Sequence, residues 1–109
     1  MSYLMELSRE ISYVDVIASF AHAAVLNRWV KPEVNDSLDF FAEEARHPVV
    51  EKHLPKGEFI PNEIKICAED KKTSFGLITG PNMAGKSTYL RQCALIALLA
   101  QTGSFVPAK

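Results

Sequence analysis

The chain has 109 residues, 48% hydrophobic and 23% charged, which is enough apolar material for the core of one small domain and excludes a disordered tail. Twelve Lys and Arg against thirteen Asp and Glu leave a net charge of −1. The bulk positive field of a free-standing nucleic-acid binder is therefore missing, and any DNA contact must be local or lie elsewhere.

Along the chain, apolar residues at Leu4, Leu7, Ile11, Val14, Ala18, Ala21 and Val25 step by three and four and predict a helix over residues 1–27. The helix opens with no N-cap signal beyond a weak Ser2, as expected of a cut through a longer helix, and its stripe is expected to pack against neighbouring helices. Trp29-Val30-Lys31-Pro32 is expected to end it, because proline donates no hydrogen bond and pushes the residue before it out of the α region. Asn35-Asp36-Ser37 reads as a turn and residues 38–42 as a short strand. Pro48 keeps Arg46-His47-Pro48-Val49-Val50 irregular. Lys56-Gly57 and Pro61-Asn62 mark turns, residues 64–67 a half-buried strand, residues 69–72 a charged hairpin tip, and residues 75–79 a buried-type strand.

Directly after that last strand comes Gly80-Pro81-Asn82-Met83-Ala84-Gly85-Lys86-Ser87, which satisfies G-x-x-x-x-G-K-[ST] and precedes a helical run. Strand, glycine loop and helix are the context this Walker A pattern demands. Gly80 and Gly85 permit backbone conformations a Cβ would obstruct, so successive N–H groups can form a nest for phosphate, joined by the positive end of the following helix. Lys86 would reach the β- and γ-phosphates of ATP, Ser87 would offer its hydroxyl to Mg²⁺, and Thr88 could approach an α-phosphate. Hydrolysis also needs an acidic residue on a second strand, and residues 88–109 read as one helix and its exit. No catalytic set is complete in this chain.

The segment from Thr79 to Ala108 resembles the nucleotide-binding segment of the MutS family of DNA mismatch repair ATPases. Arg46-His47-Pro48-Val49-Val50-Glu51 is similar to the family's R-H-P motif and Phe59-Ile60-Pro61-Asn62-Glu63-Ile64 to its F-[IV]-P-N-[DE] motif. Residues 15–21 resemble the end of the long helix that leads into the ATPase domain. Asn82-Met83 and the run Ser87-Thr88-Tyr89-Leu90-Arg91-Gln92 look like the mismatch-repair branch, whereas nuclease-bearing paralogues read more like GPNTGGKT.

The resemblance implies an α/β fold: the N-terminal portion of a P-loop NTPase of the ABC ATPase type, an incomplete domain preceded by a long helix and a small β-rich region. Residues 1–31 would close a core and lever helical domain, and residues 32–109 would begin the ATPase domain. It implies that Phe59 and Ile60 lie against adenine and that Gly80, Pro81, Asn82, Met83, Ala84, Gly85, Lys86, Ser87 and Thr88 bind ATP or ADP, with Mg²⁺ on Ser87. Implied partners are a MutS-type subunit in a dimer, a MutL-type protein, and mismatched double-stranded DNA held by parts of the parent protein absent here. No membrane is involved.

Cys67 and Cys93 lack metal-ligand spacing and no signal peptide precedes them, so a soluble, cytoplasmic protein with nucleoid-associated function is expected. The apolar run at residues 93–100 falls short of the roughly 20 residues a membrane span needs. Both cysteines read as small core residues, His47 as a structural hydrogen bonder, and Trp29 as a packing anchor. His22 and His53 have no constellation. Leu90, Ala94, Ala97 and Leu98 read as the buried face of the last helix. A rival expectation is a catalytically inactive, short P-loop interaction module or degenerate remnant. Independent folding is expected to be poor, since a central parallel strand without neighbours leaves both edges unpaired.

Overall fold

The computed structural model describes residues 3–68 and 73–109. The elements in chain order are α1 (Tyr3–Asn27), β1 (Phe40–Ala45), α2 (Val50–His53), β2 (Asn62–Ile66) and α3 (Lys86–Gln101).

The three-four periodicity forms α1, except that Met1 and Ser2 lie outside the described residues. A helix of 25 residues runs about 37 Å at 1.5 Å per residue, and it gives the molecule its long axis of 56 Å. The radius of gyration is 17.2 Å, against the about 13 Å of a compact domain this size. The stripe Leu4, Leu7, Ile11, Val14 and Val25 is exposed, and Ala24 is the one α1 side chain that is buried among the described residues. The expected packing of this stripe on neighbouring helices is not made within the described residues.

Proline does not end α1. Arg28 adopts φ 53°, Trp29 N–H donates to Ala24 O at 2.9 Å, and Arg28 N–H reaches Val25 O at 3.5 Å. These two bonds around a left-handed residue form a Schellman cap, which closes the helix before Pro32 can act. The guanidinium of Arg46 donates to the carbonyls of Asn27 and Arg28, both at 3.4 Å, placing a positive charge at the helix's negative end. Its Nε lies 2.9 Å from Glu51 Oε1, an ion pair without the alignment of a hydrogen bond.

The first strand begins later than expected and runs further. Ser37 N–H donates to Asn35 Oδ1 at 3.0 Å and Asp39 N–H to Ser37 Oγ at 3.4 Å, so Leu38 is held in the turn. β1 pairs antiparallel with β2 in the register Phe40↔Ile66, Ala42↔Ile64 and Ala45↔Asn62, with an irregularity between Ala42 and Ala45. Glu44, at φ 46°, sits in that bulge. The expected turn at Lys56-Gly57 is present, with Glu58 N–H donating to Pro55 O at 3.1 Å and Gly57 at φ 88°. Asn62, expected in a turn, instead opens β2. The expected hairpin tip at residues 69–72 lies outside the described residues.

Residues 104–109 return alongside this hairpin. Val30 and Val106 exchange backbone hydrogen bonds at 2.9 Å, Arg46 N–H donates to Pro107 O at 2.8 Å, and Lys109 N–H to Glu43 O at 2.9 Å. The chain can turn back because α3 ends in a second Schellman cap: Gly103 at φ 85°, Ser104 N–H to Leu99 O at 3.0 Å, and Gly103 N–H to Ala100 O at 3.1 Å.

Two expectations are corrected. Residues 75–79 form no strand, and Phe75 and Leu77 are each 79% exposed. β1 bonds to β2 through 40–42 and 45 and to residues 104–109 at Glu43 and Arg46, so both edges of β1 are taken, and the apolar segment does not pair with the outer edge of β2 among the described residues. On α3, Leu90 and Leu98 are exposed. The inward stripe is instead Tyr89, Gln92, Cys93, Ile96, Leu99 and Ala100, which meets the core of Ala42, Ala45, Ile64, Val106 and Ala108. Both stripes have helical spacing, and the one that packs on the sheet holds the buried Gln92, whose Nε2 donates to Ala45 O at 2.9 Å.

His47 is structural, as its setting predicted. It is buried, and its Nδ1 accepts from the N–H groups of Val49 and Val50, both at 3.2 Å, starting α2. Cys93 is half-buried and packs on the core. Burial pushes its thiol above the ordinary range, with the neighbouring Tyr89 hydroxyl acting in the opposite sense. Trp29 is half-buried, and its indole N–H is enclosed without a partner.

Replacing Arg28 by Gly should stabilise the fold by about 0.5–1 kcal/mol, since a left-handed residue with a Cβ is strained; the urea midpoint should move up. Alkylation of Cys93 by iodoacetamide at pH 8 should be slower in the folded protein than in urea. Because the folded state holds this proton more tightly, stability should fall as pH rises past the ordinary thiol range, which pH-dependent urea titrations would register.

Candidate functional site

The glycine loop meets α3 at Gly85, which stands as the N-cap at φ 88°. A Cβ there would meet nothing within 4 Å, so the demand for glycine comes from the backbone and not from space. Gly80 differs: at φ 159° it is near the extended limit, and a Cβ would find the Lys86 side chain and Ala84 at ordinary contact distances of 3.7–3.8 Å. The second left-handed residue of the loop is Met83, at φ 68° and fully exposed. A long side chain held at positive φ costs of order 1 kcal/mol or more, and such strain concentrates where a loop is shaped for a ligand.

Left-handed points spaced by one residue let neighbouring N–H groups turn toward a common centre. Tyr89 N–H is bonded to the cap carbonyl of Gly85 at 2.9 Å. The N–H groups of Lys86, Ser87 and Thr88 precede it in the first turn, where helical backbone offers no acceptor. No side chain caps this end and the first turn carries no acidic residue, so the dipole and the free donors are left for an anion. Lys86 Nζ donates to the carbonyl of Gly80, folding its ammonium across the loop from end to start. An ammonium has three donors, so this contact leaves two for phosphate oxygens.

Two pockets open on these residues. The smaller, about 210 Å³, is lined by Asn82, Met83, Gly85, Lys86, Ser87 and Thr88. The larger, about 560 Å³, lies between the loop and the chain leading into β2, with Phe59, Ile60 and Asn62 on one wall and Ala84, Gly85, Lys86 and Thr88 on the other. The structure thus brings together two segments distant in sequence. Of the expected ligands, Gly80 and Pro81 line neither pocket, and Ser87 lines only the smaller. Ser87 is exposed at the first helical turn, where a hydroxyl fits one ligand position of a mostly hydrated Mg²⁺. Among the described residues, no three His, Cys, Asp or Glu side chains gather around a metal-sized site.

Sequence reading did not assign Tyr89 and Gln92 to the site, though both line the larger pocket. The signal was their spacing: Tyr89 falls one turn beyond Lys86 and Gln92 a turn further, on the same face. Burial raises the Tyr89 hydroxyl's pKa, with Cys93 and Glu63 adding to the rise. The hydroxyl donates to Glu63 O at 3.0 Å. Among the described residues no helix is long and apolar enough to cross a membrane.

The glycine loop and α3 fall within the match of residues 76–109 to the model of MutS domain V. The chain is 52% identical, over 98% of its length, to the DNA mismatch repair protein MutS of Treponema denticola, and 53% identical, over 97%, to that of Clostridium botulinum strain Okra. It spans 13% and 11% of the length of those relatives. Identity above one half over nearly the whole chain, together with a domain match on the loop itself, establishes that the chain belongs to the MutS family.

Proposed function

We propose that this chain is the ATP-binding segment of a MutS-type mismatch repair protein. Residues 80–88 would hold the phosphates and Mg²⁺, and Phe59 and Ile60 would flank adenine. The observation that carries the reading is the larger pocket, where an apolar wall at Phe59 and Ile60 faces Lys86 and Thr88 across one opening. A nucleotide needs both surfaces: an apolar slot for the base and donors with positive charge for the phosphates.

In this reading the loop's N–H groups and Lys86 bind the triphosphate, Ser87 supplies one oxygen to Mg²⁺, and Thr88 lies between the two pockets. ATP bound here stiffens the loop and the start of α3. Residues 1–31 belong to the lever region and residues 32–109 to the ATPase domain. Arg46 joins the two parts by donating to the last carbonyls of α1. In the parent assembly this joint would relate nucleotide state to the recognition of mismatched DNA, in a dimer with a second MutS-type subunit and with a MutL-type protein as further partner. A cytoplasmic location, at the nucleoid, follows from that role.

Lys86→Ala removes a charged donor, an interaction of about 1.5–3 kcal/mol, and should weaken Mg·ATP binding by roughly ten- to a hundredfold in calorimetric titration of the chain. An unchanged affinity would remove Lys86, and with it this site, from the reading.

A further inference from the structure

The loop that would take the phosphates and the wall that would take the base belong to different parts of the chain, and their separation has to be held by something. α3 carries the loop at its first residue, Lys86, while Phe59 and Ile60 sit just ahead of β2 in irregular backbone. Neither Phe59 nor Ile60 belongs to the buried core, so packing alone does not hold the wall in place.

One hydrogen bond bridges this gap and a second carries the tie along to the wall. Tyr89, one turn into α3, donates its hydroxyl to the carbonyl of Glu63 at 3.0 Å. Next to Glu63, the Asn62 side chain donates back to the carbonyl of Ile60 at 3.2 Å. The tethers are consecutive: helix to Glu63, and Asn62 to Ile60. Tyr89 is half-buried and packs against the hydrophobic core, so the donor end of the first tether is anchored in the part of the fold that moves least. Gln92 makes a parallel attachment further down α3, to Ala45 O, but that bond ends on β1, away from the wall.

We infer that Tyr89 is a positioning residue that sets the spacing between the phosphate loop and the Phe59–Ile60 wall through its hydroxyl bond to Glu63 O. Recognition of the nucleoside half of the ligand then depends on that hydroxyl, and recognition of the phosphate half does not. This rests on the nucleotide reading above and deepens it. Tyr89 lines the larger pocket but not the smaller one at the loop, which is why the two halves separate.

The test compares Tyr89→Phe with the unaltered chain, using Mg·ATP and inorganic tripolyphosphate as separate ligands in calorimetric titrations. Removing one neutral donor while keeping the ring should weaken Mg·ATP about five- to tenfold and leave tripolyphosphate within about twofold, the latter also reporting that the loop is still folded. In the ligand-free protein, amide hydrogen exchange over residues 59–63 should quicken in the variant, which loss of a direct contact to ligand would not produce. Equal losses for both ligands, no loss for either, or unchanged exchange over 59–63 would overturn the role. If the unaltered chain binds ATP no more tightly than tripolyphosphate, the base wall fails while the loop stands, and the role of Tyr89 falls with the wall. If it binds neither, the nucleotide reading itself falls, and this role with it.

Discussion

The buried amide of Gln92 is the contact on which the arrangement turns. It is fully enclosed, its Nε2 donates to Ala45 O, and its Oε1 has no partner. Reversing the amide would set oxygen against the carbonyl of Ala45, so its orientation is dictated by the backbone. A polar group in such a place costs more if it is left unbonded than it contributes when bonded. Rotating α3 to bury Leu90 and Leu98 would break this bond and carry Tyr89, Cys93 and Ile96 off the core, so the bond and the apolar contacts beside it together fix the face that packs.

With that face chosen, the positions of the loop and the wall follow. Ile96 and Cys93 enter the small alanine-rich core, and Tyr89 reaches β2. Lys86 is left at the mouth of the pocket with its ammonium over Gly80 O. At the other end of α3, the Schellman cap at Gly103 turns the chain so that Val106 meets Val30 and Pro107 meets Arg46. The last helix is therefore tied at its start to a ligand-shaped loop and at its exit to the base of α1. Among the described residues, Arg46 ties the end of α1 to the rest and Val30, just beyond it, pairs with Val106, while nearly all of the helix's length is exposed.

Much of the outline was legible in the residues. The apolar steps of α1, the Asn35–Ser37 turn, the glycine at residue 57 and the strand at residues 64–66 all express local preferences that need no distant partner. So does the loop: Gly85 sits at positive φ because only glycine does so without strain. His47 was read as structural for want of partners, and its Nδ1 proved to be the acceptor that starts a short helix. That four-residue helix, α2, gave no signal of its own, since it depends on this side-chain acceptor and not on propensity.

What the sequence by itself determined is the chemistry: the G-x-x-x-x-G-K-S pattern, the resemblance to the MutS family that the relatives bear out, and the places where the chain must turn. What only the tertiary structure decided is which of two equally spaced stripes on α3 turns inward, that residues 75–79 remain unpaired while residues 104–109 join the hairpin, and that Tyr89 spans from loop to wall. The division has one physical cause. Turns, glycine conformations and helical periods are set by neighbours along the chain, whereas strand pairing and the burial of a polar side chain depend on which distant carbonyl stands within hydrogen-bonding reach.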